Sequence, residues 1–158
     1  MRRSAPGYTL VELLLVMALA ATLLSLAGPG FGALRDEWAL RAATHALLGG
    51  LAETRLAALQ LQDEAHLCPS TDGITCSSRA SGYRVHALGA GVGRALHVSP
   101  LPPGVELSGN RPAATYYAWP RAALPVTLTL CAVHEHARSR RIVVSQTGRP
   151  RVERAGRC

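Results

Sequence analysis

The sequence predicts an α+β protein. One long N-terminal helix, apolar in its first half and amphipathic in its second, is expected to pack on an antiparallel sheet or small sandwich. Three observations predict it. Residues 8–28 are almost entirely apolar, and residues 34–63 carry leucines at helical spacing. From residue 65, short apolar runs alternate with Gly, Pro, Ser and Asn, the texture of strands and turns. A helix followed by a run of strands is an α+β order. The 158 residues suffice for an apolar segment and one domain with a single core.

The apolar segment comes first. Twenty-one helical residues rise about 30 Å, enough to cross the hydrocarbon of a bilayer. Before them stands the short leader MRRSAPG, whose charges are Arg2 and Arg3; after them, Gly28, Pro29 and Gly30 are expected to break or loosen the helix. The anomaly is Glu12. A secretory signal cut after Ala27, at the small-x-small pair Ser25 and Ala27, leaves a charge in its apolar region. A plain membrane anchor leaves the same charge unexplained, at about 2.5–3.5 kcal/mol for an acid at a helix centre and less near the interface. A cut between Gly7 and Tyr8 resolves the anomaly, because it creates an ammonium four residues before Glu12. In a stack of related helices, one subunit's carboxylate then meets another's terminus, and a charge unpaired in the monomer is paired in the assembly.

The stretch Gly7-Tyr8-Thr9-Leu10-Val11-Glu12-Leu13 resembles the class III signal of type IV pilins and type II secretion pseudopilins, with Tyr8 where phenylalanine is usual. The resemblance implies that a prepilin peptidase cuts after Gly7 and that the new N-terminus at Tyr8 is methylated. It implies that Glu12 is an assembly contact. Pro29 matches the proline that interrupts pilin helices. The expected organisation is a leader at 1–7, a hydrophobic helix and membrane anchor at 8–30, and a periplasmic pilin-like domain at 31–158.

The second helical stretch spans 34–63. At 100° per residue, Leu40, Leu47, Leu48, Leu51 and Leu59 fall within an arc of about 120°, with Arg35, Asp36, Glu53 and Thr54 outside it. This is a core-packing stripe. Gly49-Gly50 costs roughly 1–2 kcal/mol of helix propensity and marks a bend or a close contact. Eight strands are expected, at 65–68, 83–87, 95–99, 105–107, 115–119, 126–133, 141–145 and 151–154. VTLTL alternates with period two, so one face is buried. GAGVG at 89–93 is a turn; it lacks the full dinucleotide spacing and a following helix.

Four cysteines behind an export-like N-terminus favour disulfides over metal or redox thiols. They allow three pairings. The expected one joins Cys68 to Cys76 across the loop CPSTDGITC, and Cys131 to Cys158, tying the chain's last residue to its strongest strand.

The net charge is +7, and every basic residue is arginine. Removing the leader's two charges leaves +5. Residues 138–158 alone hold seven arginines and one acid, a net of +6, so the rest of the mature chain is close to neutral. A solvated tail is the bland reading. Against it, Pro150 pushes Arg149 towards an extended conformation. Alternate residues of an extended chain share a face, so Arg149 and Arg151 are expected about 6.6–6.8 Å apart on one side. Two planar guanidinium forks there suit a phosphate backbone, and Gly148 lets the chain turn sharply into the segment.

The Cys68–Cys76 loop, the late strand with Cys131, the motif Gly148-Arg149-Pro150-Arg151 and the terminal Cys158 together resemble the GspH/FimT family, and within it the FimT-type minor pilins. That resemblance implies a minor type IV pilin that binds DNA through a C-terminal arginine motif during uptake in natural transformation. Arg149 and Arg151 become the first contact residues. Arg154, Arg138, Arg140 and Arg141 contribute local charge, and Arg111 and Arg121 are outlying candidates. Binding is expected to the backbone and independent of base sequence. The competing reading is a GspH-like pseudopilin with a structural role in a type II secretion pseudopilus. The partners implied are other major and minor pilins, the prepilin peptidase, the inner membrane before assembly and DNA, with residence in the pilus afterwards.

No enzyme, cofactor or metal is expected. His134-Glu135-His136 lacks a third ligand nearby, Ser70 and Ser99 lack a nucleophile elbow, and Cys68 beside His66 is better used in a disulfide. Tyr116, Tyr117 and Trp119 are more readily core residues than stacking platforms.

Overall fold

The computed structural model describes residues 9–87, 94–119, 122–133 and 138–158, with the backbone alone for 26–30, Arg94 and Arg157. The leader with Gly7 and Tyr8, the GAGVG turn, Arg121 and the triplet His134-Glu135-His136 lie outside the described residues. The chain forms two compact units, Met1–Leu34 and Arg35–Cys158.

Helix α1 spans Leu10–Leu61. Thr9 caps its start: the Glu12 amide donates to Thr9 Oγ1 at 3.3 Å and the Leu13 amide to the Thr9 carbonyl at 3.2 Å. The backbone stays helical through Gly28, Pro29 and Gly30, so the expected break is not seen. A proline removes one backbone donor and crowds one turn, and a helix of this length continues past that loss. In the first unit, the larger apolar side chains from Leu10 to Leu24 are exposed. Among the described residues no helix is long and apolar enough to cross a membrane.

In the second unit, the buried face of α1 runs through Asp36, Leu40, Ala43, Leu47, Thr54 and Ala57, spaced alternately by three and four residues, with Gly50 in the same register. Asp36 and Thr54, expected outside the stripe, lie on it, while Leu59 stays 47% exposed. The arc traced by leucines alone was too narrow, because small and polar residues share the face. Buried hydroxyls are satisfied within the helix: Thr44 Oγ1 donates to Leu40 O and Thr54 Oγ1 to Gly50 O, both at 2.6 Å.

Among the described residues nine strands follow: β1 (Ala65–Pro69), β2 (Arg79–Ala80), β3 (Gly82–Ala87), β4 (Arg94–Pro100), β5 (Val105–Gly109), β6 (Ala114–Tyr116), β7 (Val126–Ala132), β8 (Arg138–Val144) and β9 (Pro150–Arg157). They make two antiparallel sheets, ordered β4-β3-β1-β6 and β2-β5-β7-β8-β9. β2 was not expected; two residues carry no legible period. The strand expected at 115–119 stops at Tyr116, where the chain reverses and the Tyr117 amide bonds the Ala122 carbonyl. Strand β7 alternates buried and half-buried, with Val126, Leu128, Leu130 and Ala132 facing in. Leucines of α1 share one core with both sheets.

A close helix–sheet contact explains the glycine doublet. A Cβ on Gly50 would lie 2.5 Å from Tyr83 Cε2, whereas one on Gly49 would meet nothing within 4 Å. Tyr83 is buried, and its hydroxyl donates to Ala46 O at 2.8 Å. The doublet is therefore one close approach beside one open position. Gly50→Ala is expected to destabilise the domain by about 1–3 kcal/mol through overpacking. Gly49→Ala is expected to stabilise it by about 0.5–1 kcal/mol through helix propensity. Denaturant melts of the pair check this; equal effects of one sign would refute the contact.

Candidate functional site

The arginine-rich end is a β-hairpin. Strands β8 and β9 pair from Val144↔Pro150 to Arg138↔Arg157, with a register shift between Arg138 and Ser139. The connecting turn closes with Gly148 N donating to Ser145 O at 2.9 Å, and Ser145 N to Arg149 O at 3.2 Å. Gly148 has φ +74°, where a side chain is strained. Its added Cβ would also lie 3.1 Å from the Tyr116 ring. Tyr116 is fully buried, and its hydroxyl reaches Gly148 O at 3.4 Å. Burial pushes that phenol up to about 12, with a small opposing pull from Arg55. The turn therefore sits on a fixed, neutral ring.

Disulfides hold the ends of this region. Cys131 is bonded to Cys158, Cα–Cα 5.9 Å, so residues 132–157 are tethered at both ends. Cys68 is bonded to Cys76, Cα–Cα 5.6 Å. Inside the smaller loop, Asp72 accepts from the amides of Ile74 and Thr75 and from the hydroxyls of Thr75 and Ser70. Those bonds hold its carboxyl far below the ordinary range, the amides acting most strongly. His86, not His66, lies beside the two sulfurs, which are committed to their bridge. Burial first, then Arg84 and His66, pushes His86 down to about 4, so it is neutral at pH 7.

The structure sorts the arginines of the hairpin into two groups. Arg140 lies on the inner face and donates to Glu37 on α1; Arg138 approaches the same carboxylate at 3.8 Å and Arg41 Nε at 3.1 Å. Arg140 is only 17% exposed in its side chain. These are fastening contacts between helix and hairpin. The other group faces water. Arg149 and Arg151 are exposed on either side of Pro150, and Arg154 and Arg141 are exposed further along. Arg151 donates through Nε and Nη2 to Glu153 Oε1, at 3.0 and 2.7 Å. Arg141 stands opposite Glu153 in the ladder. Among the described residues Arg149 and Arg154 make no ion pair. Arg111 is placed elsewhere, in the β5–β6 loop near Cys76. Tyr116 forms part of the core, whereas Trp119 is 89% exposed.

A long helix whose second part packs on antiparallel sheets is the fold of type IV pilins. The chain belongs to the family described as type II transport protein GspH, whose model matches residues 43–148. The prokaryotic N-terminal methylation motif matches residues 2–28. That motif implies processing by a prepilin peptidase and pilin partners, and the family consists of structural pilins and pseudopilins. Two crystal structures of the type IV minor pilin FimU from Pseudomonas aeruginosa (strain PAO1) share the fold. One is 18% identical with TM-score 0.57, over 75% of this chain and 90% of that one. The other is 17% identical with TM-score 0.55, over 72% and 92%. No curated protein matches. The family match ends at Gly148, so Arg149 and Arg151 follow directly after it.

Glu37 went unnoticed in the sequence because its partner lies 103 residues away. Burial pushes its carboxyl up, but hydrogen bonds and charge from Arg41 and Arg140 outweigh this and hold it below the ordinary value. Folding therefore lowers this pKa, and the unfolded chain binds the proton more readily. The stabilisation is complete above the ordinary value of 4.5 and fades as pH falls below it. Glu37→Gln is expected to cost about 1–2 kcal/mol at neutral pH, partial exposure of the side chain (24%) limiting the loss. The variant should also flatten the acid limb of the stability curve. Melts between about pH 3 and 7 check both; an unchanged acid limb would refute the role.

Proposed function

We propose that this chain is a minor type IV pilin that binds DNA through the tip of the β8–β9 hairpin. The observation carrying the reading is Arg149: exposed, without an ion pair among the described residues, and seated on the Gly148 turn beside Arg151. Arg151, Arg154 and Arg141 add charge around it. Arg138 and Arg140 serve mainly to fasten the hairpin to α1 through Glu37. A hairpin held by a disulfide, a buried tyrosine and an ion pair presents its tip with little entropy left to lose on binding. Nothing at the tip forms a base-reading constellation, so contacts are to phosphates and independent of sequence. The role is binding and assembly rather than catalysis.

The N-terminal half completes the proposal. Cleavage after Gly7 and methylation of Tyr8 convert an inner-membrane precursor, its C-terminal domain periplasmic, into a filament subunit. Glu12 then pairs with the terminus of a neighbouring pilin. Support comes from the methylation motif and from the exposed apolar surface of Leu10–Leu24. A second reading, a pseudopilin of type II secretion, is favoured by the description of the family itself and by the end of its match at Gly148.

Mass spectrometry of protein from its native membrane is expected to show a methylated Tyr8 as first residue; an intact Met1 or a start at Gly28 would end the pilus reading. Changing Arg149 and Arg151 together to glutamine is expected to weaken DNA binding by the full chain in detergent while leaving its melting temperature within a degree or two. With three to five phosphates engaged, log K should fall against log salt with a slope of about −2.7 to −4.5 on duplex DNA. Undiminished binding by the double variant would refute the site; an absence of DNA binding by the parent would favour the secretion reading.

A further inference from the structure

Beside the proposed phosphate contacts lies a groove without an assigned role. It has a volume of about 250 Å³. Leu51, Ala52, Arg55 and Leu56 of α1 form one wall, and Tyr116, Gly148 and Pro150 close the other side. Tyr116 is fully buried, whereas the wall residue Leu56 is 54% exposed. An apolar groove open to water beside a turn that carries arginines is chemically mixed in a particular way. Among the described residues no acid lines it, Arg55 does, and Arg149 is the residue between two that do, Gly148 and Pro150.

We infer that this groove takes an unpaired nucleobase, and that the DNA bound by the hairpin is single-stranded. The inference rests on the DNA-binding reading above. Three features support this occupant. The volume falls below the roughly 300–1,000 Å³ typical of sites for drug-sized ligands, which suits one ring system. The walls are aliphatic and prolyl surfaces that accept the flat face of a base, and such packing is non-directional, so it tolerates any base. The charge is complementary: Arg55 lines the groove and Arg149 lies between two residues that do, so cations are available beside it for the phosphates flanking an inserted base. Duplex DNA keeps its bases stacked and paired, so it offers the arginines phosphates but gives the groove nothing. Tyr116 does not read base edges, because its hydroxyl faces Gly148 O. The preference is for single strands, not for a sequence.

The test compares two probes with the same phosphates: a twelve-residue oligo-dT and an abasic strand of equal length, each titrated against the full chain in detergent at about 0.1 M salt. Oligo-dT is expected to bind roughly 3- to 30-fold more tightly, the effect of removing a modest apolar area from water. Ala52→Phe, which fills the groove from an exposed helix position, is expected to bring oligo-dT down to the abasic level and leave the abasic strand unaffected. Equal binding of the two probes, both weakened by Arg149→Gln with Arg151→Gln, would overturn the groove while keeping the DNA-binding reading. No binding of either probe would overturn both. If Ala52→Phe keeps the oligo-dT preference but lowers incorporation into pili, the groove serves a neighbouring subunit, and the inference is overturned.

Discussion

The second unit depends on how closely helix α1 can approach its sheets. At Gly50 the helix backbone meets the side chains of Tyr83 and Leu67 with no room for a methyl group. That approach brings the leucines at 40, 47 and 51 into a core shared with both sheets. It also lets the Tyr83 hydroxyl reach a helix carbonyl at Ala46. A β-carbon at this one position would push the tyrosine outward, and the buried face would have to part. The helix is therefore a spine by virtue of a missing side chain as much as by its leucines.

The same spine divides the charge. An isolated run of seven arginines repels itself, and an arginine facing the core would be costly to leave unpaired. Glu37 answers both problems by accepting Arg140 and approaching Arg138. What remains at the hairpin tip is a smaller, outward set, one of whose members, Arg151, is already turned towards Glu153. The positive end is thus an anchored structure with a few cations left over, rather than a uniform basic tail. Arg149 is distinctive within it because its neighbours on both sides are fixed: Gly148 by its positive φ and its seat on Tyr116, Pro150 by its ring and its place at the start of β9.

Much of this was legible in the sequence, and the misses follow from physics. Period two in VTLTL, and the seven- and four-residue spacing of Leu40, Leu47 and Leu51, are signals local to a few residues, and they correspond to β7 and to the buried face of α1. The exceptions are non-local or too short. Asp36 and Thr54 lie on the buried face although their types point to the surface, since Thr54 satisfies itself on Gly50 O. Strand β2 has two residues and exists only because β5 offers an edge. The pairing of Glu37 with Arg140 joins positions 103 apart, and nothing near either predicts it. The groove beside Tyr116 is likewise assembled from α1, β6 and the β8–β9 turn. The motif around Arg149 could be read as chemistry, but its apolar neighbour required the fold.

The first unit poses a different question, and Thr9 sharpens it. Glu12 sits three residues after the capping threonine, the position at which an acid or its amide favours the start of a helix. That local benefit explains why a polar residue is tolerated here and makes the helix begin where it does. It does not explain why the residue is charged, because glutamine serves a capping box as well. The positive end of the helix dipole favours a carboxylate, but by only about 0.3–1 kcal/mol. That is less than the roughly 2.5–3.5 kcal/mol an acid costs deep in an apolar phase. In the proposed assembly, the remaining cost, which is smaller this close to the helix start, is met from outside the monomer. In the proposed mature chain the available cation is the new terminus at Tyr8, and between stacked copies it reaches the acid of a neighbour. On that proposal helix capping and subunit pairing act on the same residue at different stages, the first in folding and the second in assembly.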